Sequence, residues 1–122
     1  MSQIESKGES LNSDVAHMVY VTISNREEAL TIATAVVGER LAACANIVDR
    51  VTSIYWWQDA LQEDTETVLI LKTRNTLVER LTTRIKTLHN YDCPRVVALK
   101  IENGNPDYLN WIVNETTQAP EM

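Results

Sequence analysis

Residues 43–57, ACANIVDRVTSIYWW, and residues 66–74, ETVLILKTR, decide the fold. Both stretches are rich in β-branched and aromatic side chains, which suit a pleated surface, and each reads as a strand. Residues 58–64, QDALQED, read as a polar turn between them, so the two strands form a hairpin. Each arm runs about a dozen residues, roughly 40 Å at ~3.3 Å per residue, whereas a domain of this length is only about 30 Å across. The tip must therefore project. It carries Tyr55, Trp56 and Trp57, and a projecting aromatic tip needs a partner to cover it.

Working outward, residues 17–23, HMVYVTI, read as a strand. Ser24 or Asn25 then opens a helix through a capping box with Glu27 or Glu28. Ala29, Ile32, Ala33, Val36, Val37 and Leu41 recur at helical spacing on one face, and Gly38 weakens the last turn. On the other side of the hairpin, Thr76 and Glu79 predict a second capping box, with Leu77, Val78, Leu81, Ile85 and Leu88 facing inward. A loop at 90–94 leads to a strand at 95–101, RVVALKI. Asn105 before Pro106 then opens a short helix through Leu109, Trp111 and Ile112.

The order β-α-β-β-α-β-α, with two split βαβ units and right-handed crossovers, predicts a ferredoxin-like α+β domain over residues 15–116. Its sheet is antiparallel, with the two long helices on one face. Residues 1–14 read as a disordered leader and 117–122 as a frayed tail. The second sheet face carries Val, Ile and Leu without a covering layer, which predicts oligomerisation.

Composition narrows the function. The chain has 122 residues and a net charge of −6, from 17 acids against 11 bases. A phosphate backbone is held by clustered Lys and Arg, so nucleic acid is not expected as a partner. No apolar run approaches the ~20 residues of a membrane span, and no signal pattern precedes the first strand, so the expected location is the cytoplasm. Two cysteines, Cys44 and Cys93, lack the spacing of a disulfide framework, and three glycines exclude a Gly-rich phosphate loop.

Several segments resemble the CutA divalent-cation-tolerance family. Residues 39–47, ERLAACANI, are similar to its signature at the end of the first helix. Ser53, Tyr55 and Trp57 resemble its hairpin, and Glu66 with Lys72-Thr73 its return strand. Residues 88–94, LHNYDCP, resemble its His-Pro-Tyr loop, and Asn105 through Trp111 its closing helix. The resemblance implies a homotrimer of PII-like build, joined through the long hairpins, and an association with tolerance to divalent metals, copper above all. In this sequence Asn90 stands at the loop proline, Leu88 at the first position of a proposed His-His copper pair, and Val21 where some members carry a first-strand cysteine. Copper coordination of that design lacks its first ligand here.

The candidate metal ligands are His89, Asp92, Cys93 and Cys44. Imidazole and thiolate suit Cu(II), Cu(I) or Zn(II), and no obligatory cofactor is implied. Two readings of the loop stand: a weak mononuclear site at His89, Asp92 and Cys93, or a surface loop whose His89 and Tyr91 cap the second helix. Cys44 is either a packed thiol or a soft-metal ligand at a subunit boundary. Tyr55, Trp57, Glu66, Lys72, Tyr91 and Tyr108 are the candidates for an inter-subunit cleft. Strand parity puts Glu66 and Lys72 on one face, where they serve either a ligand or a structural ion pair.

No GxSxG, HExxH or paired-acid motif is present, and binding rather than catalysis is expected. The alternatives are a regulator resembling the signalling PII proteins, with a metabolite or nucleotide in the cleft, or an enzyme using Lys72 or Cys44. An RNA-binding domain on this fold would need an aromatic-basic strand motif that the sequence lacks.

Overall fold

The computed structural model describes residues 14–89 and 93–117. Strand β1 (Ala16–Ile23) leads into helix α1 (Arg26–Gly38), and the hairpin strands β2 (Cys44–Trp57) and β3 (Ala60–Arg74) follow. A single 3-10 turn (Asn75–Leu77) precedes α2 (Val78–Leu88), strand β4 (Arg95–Lys100) and α3 (Pro106–Thr116). The strands lie in the order β2-β3-β1-β4, all neighbours antiparallel, which is the ferredoxin-like sheet. The expected leader up to residue 13 and the tail from residue 118 lie outside the described residues. Asp14, assigned to the leader, is paired with Arg74 at 3.0 Å.

The core forms between α1, α2 and the inner sheet face. Val19, Val21 and Ile23 of β1 and Leu69 and Leu71 of β3 point the same way and pack with Ile32, Val36, Leu81 and Ile85 of the helices. Alternation along each strand sends Met18, Tyr20, Ile70, Lys72, Val97 and Leu99 to the opposite, outer face. Helix α3 packs against β3 and β1, and its Tyr108 meets Cys44, which shares the outer face with Lys72. The remainder of that face is open: Val97 and Leu99 are exposed, and so is Val48.

Local chemistry explains the helix starts. Asn25 accepts the backbone N–H of Glu28 at 2.8 Å, so the Asn25 box is the one used, and Ser24 Oγ donates to Glu28 Oε1 at 2.7 Å. Asn105 likewise accepts from the N–H of Asp107 at 3.0 Å, with Pro106 in the first helical position. The expected Thr76 box does not form. Arg74 Nη1 donates to Thr76 Oγ1 at 2.5 Å, and that hydroxyl faces Asp14 at 3.4 Å, so a 3-10 turn opens the helix instead.

The hairpin departs from expectation in its turn. The loop is two residues, Gln58 and Asp59, both at positive φ (51° and 65°), and β3 already begins at Ala60. This mirror-image turn matches the right-handed twist of the strands. The polar residues 62–64 read as part of a turn in the sequence, yet they pair with β2, Tyr55 against Gln62 and Ser53 against Asp64. An arm solvated on both faces tolerates them at no burial cost. Residues 51–57 and 60–66 pair only with each other, because β1 reaches no farther than Thr67. The arm thus overhangs the sheet by seven residues a side, roughly 23 Å at ~3.3 Å per residue.

Candidate functional site on the outer sheet face

A β-bulge sets which side chains the arm presents. Val48 pairs with Val68 and Val51 with Glu66, so Asp49 and Arg50 together oppose Thr67, with Arg50 at φ 60°. One extra residue inverts the alternation. Before the bulge Cys44, Asn46 and Val48 lie on the outer face; beyond it Val51, Ser53, Tyr55 and Trp57 do. Trp56 joins Ile54 and Leu61 on the opposite side, and the two tryptophans are 72% and 55% exposed.

The outer face holds two polar groups of residues. At the base of the arm, Arg95 Nη1 donates to Glu66 Oε2 at 2.8 Å, and its guanidinium lies 4.8 Å from the centroid of the Tyr55 ring. The Tyr55 hydroxyl donates to Asp64, which holds the phenol pKa above its ordinary value; burial adds to the shift. At the other end, Lys72 Nζ donates to Asn46 Oδ1 at 2.7 Å. Cys44 stands directly opposite Lys72 in register, with its Sγ 3.6 Å from the Tyr108 hydroxyl. The contact with Cys44, and then burial, raise the Tyr108 pKa. Tyr108 stacks on Trp111 at 5.8 Å and 14°.

Glu66 and Lys72 do share a face, as parity predicts; of the two readings given for them, the structural ion pair does not form. Six strand positions separate them, roughly 20 Å at ~3.3 Å per residue, and each has another partner. Arg95, Asp64 and Asn46 were missed in the sequence. Strand parity names them afterwards, since Arg95 pairs with Thr22, which pairs with Val68 two places from Glu66. Trp57 stands at the arm's tip beside Ala60. Tyr91 lies outside the described residues.

The metal candidates are dispersed. The His89 side chain is fully buried, its Nε2 3.1 Å from the Thr22 carbonyl and its Nδ1 3.9 Å from Glu28 Oε2. A carbonyl oxygen only accepts, so Nε2 carries the proton and Nδ1 faces the protein interior. His89 is the C-cap residue of α2. Cys44 lies on the outer face, four rows along β1 from the Thr22 carbonyl that holds His89. Cys93 is an exposed free thiol, and Asp92 lies outside the described residues. Among the described residues no three His, Cys, Asp or Glu side chains are grouped to hold an ion. The donor set therefore does not fit a preformed mononuclear centre within one chain.

An antiparallel ferredoxin-like sheet, two helices on one face and an overhanging hairpin arm define an α+β domain with an open outer sheet face. The family model for the CutA1 divalent ion tolerance protein matches residues 17–115, and the chain belongs to that family. It is 42% identical over 119 residues to the chloroplastic protein CutA 1 of Oryza sativa subsp. japonica, covering 97% of this chain and 67% of that protein. It is 46% identical over 99 residues to the chloroplastic CutA of Arabidopsis thaliana, covering 81% of this chain and 54% of that one. The chain thus spans between about half and two thirds of these plant relatives' length. The solved structure of the divalent cation tolerance protein CutA1 from Thermus thermophilus superposes with a TM-score of 0.81 at 46% identity, covering 83% of this chain and 98% of that one. Among the described residues no helix is long and apolar enough to cross a membrane.

Proposed function

We propose that this chain is a cytoplasmic, homotrimeric protein of divalent-metal tolerance, copper included, that acts by binding and has no turnover of its own. The observation that supports it is the open outer face. A continuous band of Val48, Ile70, Tyr20, Val97 and Leu99 runs across the sheet, and the arm extends the same face to Trp57. Soluble chains rarely leave such a band uncovered, and in a closed ring of three the face and arm of each copy meet a different patch of its neighbour. The number three comes from the family likeness. The cytoplasmic assignment rests on two free thiols, Cys44 and Cys93.

Cu(II), Cu(I) or Zn(II) binds weakly in this reading, at the exposed Cys93 thiol, with Asp92, its neighbour in sequence, as a second candidate ligand. His89 joins only when its hydrogen bond to Thr22 opens, and Cys44 takes a soft ion only across a subunit boundary. Calorimetric titration with Zn(II) tests this: binding is lost in Cys93→Ser and retained in His89→Gln. Undiminished binding in Cys93→Ser removes the loop from the account.

A second reading is favoured by one side chain. Lys72 carries an exposed ammonium whose partner is a neutral amide, an arrangement that suits a site taking an anion. A PII-like role, with a small metabolite bound at the face between subunits, follows from it.

A further inference from the structure

Every arginine with a side chain on the sheet's outer face has an acid beside it. Arg95 pairs with Glu66 at 2.8 Å and Arg74 with Asp14 at 3.0 Å. Arg26, Arg40 and Arg84 elsewhere pair with Asp49, Glu115 and Glu39. Lys72 differs. Among the described residues no carboxylate lies within ion-pair distance of its Nζ, in a chain that carries six more negative charges than positive. Its contact with Asn46 is exposed, so the ammonium stands at the surface where an anion can reach it. Asn46 contributes one acceptor at 2.7 Å, which orients the ammonium without neutralising it.

The surroundings supply the rest of a site. Cys44 faces Lys72 directly across the strands, and cross-strand neighbours of this kind have Cβ atoms about 4.5–5.5 Å apart. The Tyr108 hydroxyl sits at that thiol, and behind it the stacked Tyr108 and Trp111 rings, 42% and 39% exposed, form an aromatic wall. A cation, a phenol donor and an apolar wall match a molecule with one negative end and an apolar body. Arg74, two positions along β3 on the same face, is already held by Asp14 at 3.0 Å, which leaves one ammonium without a countercharge here, short of the bidentate arginine or several cations that a phosphate calls for.

We propose that Lys72, with Asn46 and Tyr108 beside it, binds the carboxylate of a small organic acid whose apolar body lies against Tyr108 and Trp111. The proposal deepens the metabolite-binding reading above and rests on it. The carboxylate accepts from the lysine ammonium and from the Tyr108 hydroxyl, which lies 3.6 Å from Cys44 Sγ and keeps its proton at neutral pH as any phenol does. A carboxylate of a second subunit has the same chemistry, and the test separates the two sources.

The probes are benzoate and its uncharged analogue benzamide, titrated by calorimetry into wild type, Lys72→Met and Asn46→Asp. Asn46→Asp keeps the lysine and gives it an internal countercharge, so it tests the charge without removing the side chain. Each sample is also run by sedimentation velocity. Wild type binds benzoate saturably; both variants bind it about tenfold more weakly or worse, and benzamide is weaker on wild type by a similar factor. Equal binding of benzoate by wild type and variants, equal binding of the two probes, or no benzoate binding by wild type each overturns the proposal. If wild type ignores benzoate and Lys72→Met dissociates, the anion belongs to a neighbouring subunit: the ligand proposal fails and the assembly stands. With charge-dependent benzoate binding by a monomer, the ligand proposal stands and the assembly fails.

Discussion

Arg95, the first residue of β4, reaches across β1 to donate a 2.8 Å hydrogen bond to Glu66 at the root of the hairpin arm. The Glu66 side chain is 3% exposed and that of Arg95 is 38% exposed. The contact ties the far edge of the sheet to the base of the overhang and, through the Tyr55 ring, to the outer face of the arm.

Removing the two partners of this pair has unequal effects. Arg95→Ala leaves the buried Glu66 carboxylate without the guanidinium and costs on the order of 1–3 kcal/mol, whereas Glu66→Gln leaves a half-exposed arginine that water can solvate and costs less. Urea unfolding of the two variants checks the ranking; a larger loss in Glu66→Gln contradicts it.

The architecture was legible because periodicity and caps agree, as in the Asn25 and Asn105 caps and the alternating core of β1. The turn was not, because Glu63 and Asp64 carry low strand propensity and nothing in the sequence says that the arm is solvated on both faces. The end of α1 was misleading in a similar way. The helical spacing runs on to Leu41, but the helix ends at Gly38, and Arg40 then adopts the left-handed conformation (φ 64°), with Leu41 N–H bonded to Val36 O at 2.9 Å and Arg40 N–H to Val37 O at 3.0 Å. The site was half legible. Parity put Glu66 and Lys72 on one face, but the bulge at Asp49 and Arg50 that brings Tyr55 and Trp57 to it has no signal in the sequence, and long side chains choose partners by reach across strands.

Gly38 accordingly offers a stabilising change. It lies inside α1 without a positive φ, and a Cβ built there meets nothing within 4 Å. Gly38→Ala should raise stability by about 0.4–1 kcal/mol, chiefly by restricting the unfolded chain. Thermal unfolding reads this as a higher midpoint; a lower one means that the space is needed by a neighbouring subunit.

Acid should weaken one tie between the helices. Arg84 donates to both oxygens of Glu39 at 3.0 and 2.9 Å, and this hydrogen bonding holds the Glu39 pKa below its ordinary 4.5. A folded-state pKa below the unfolded one gives stability that is present above pH 4.5 and lost as pH falls through the lowered value. Both side chains are more than a third exposed, so solvent screening keeps the contribution small. The stability gap between wild type and Glu39→Gln should therefore close on acidification. A gap that stays constant down to acid unfolding rules out this linkage.

The bulge should control assembly. Deleting Arg50 restores simple alternation and turns Tyr55 and Trp57 away from the outer face, putting Ile54 and Trp56 in their place. Sedimentation velocity should show the deletion variant dissociated where wild type is associated. Trp57→Ala should weaken association by about 3–5 kcal/mol per subunit, as for truncation of a buried aromatic, while leaving the circular dichroism of the domain unchanged. An unaltered assembly in both variants disconnects the arm from subunit contact.

Native mass spectrometry of protein purified without added metal tests the central claim most directly, since it reads the assembly and any retained ligand together. The account predicts one species at three times the 13.8 kDa chain mass at low micromolar concentration. A monomer at 13.8 kDa under the same conditions contradicts it, because the outer face and its projecting arm would then stand uncovered in solution.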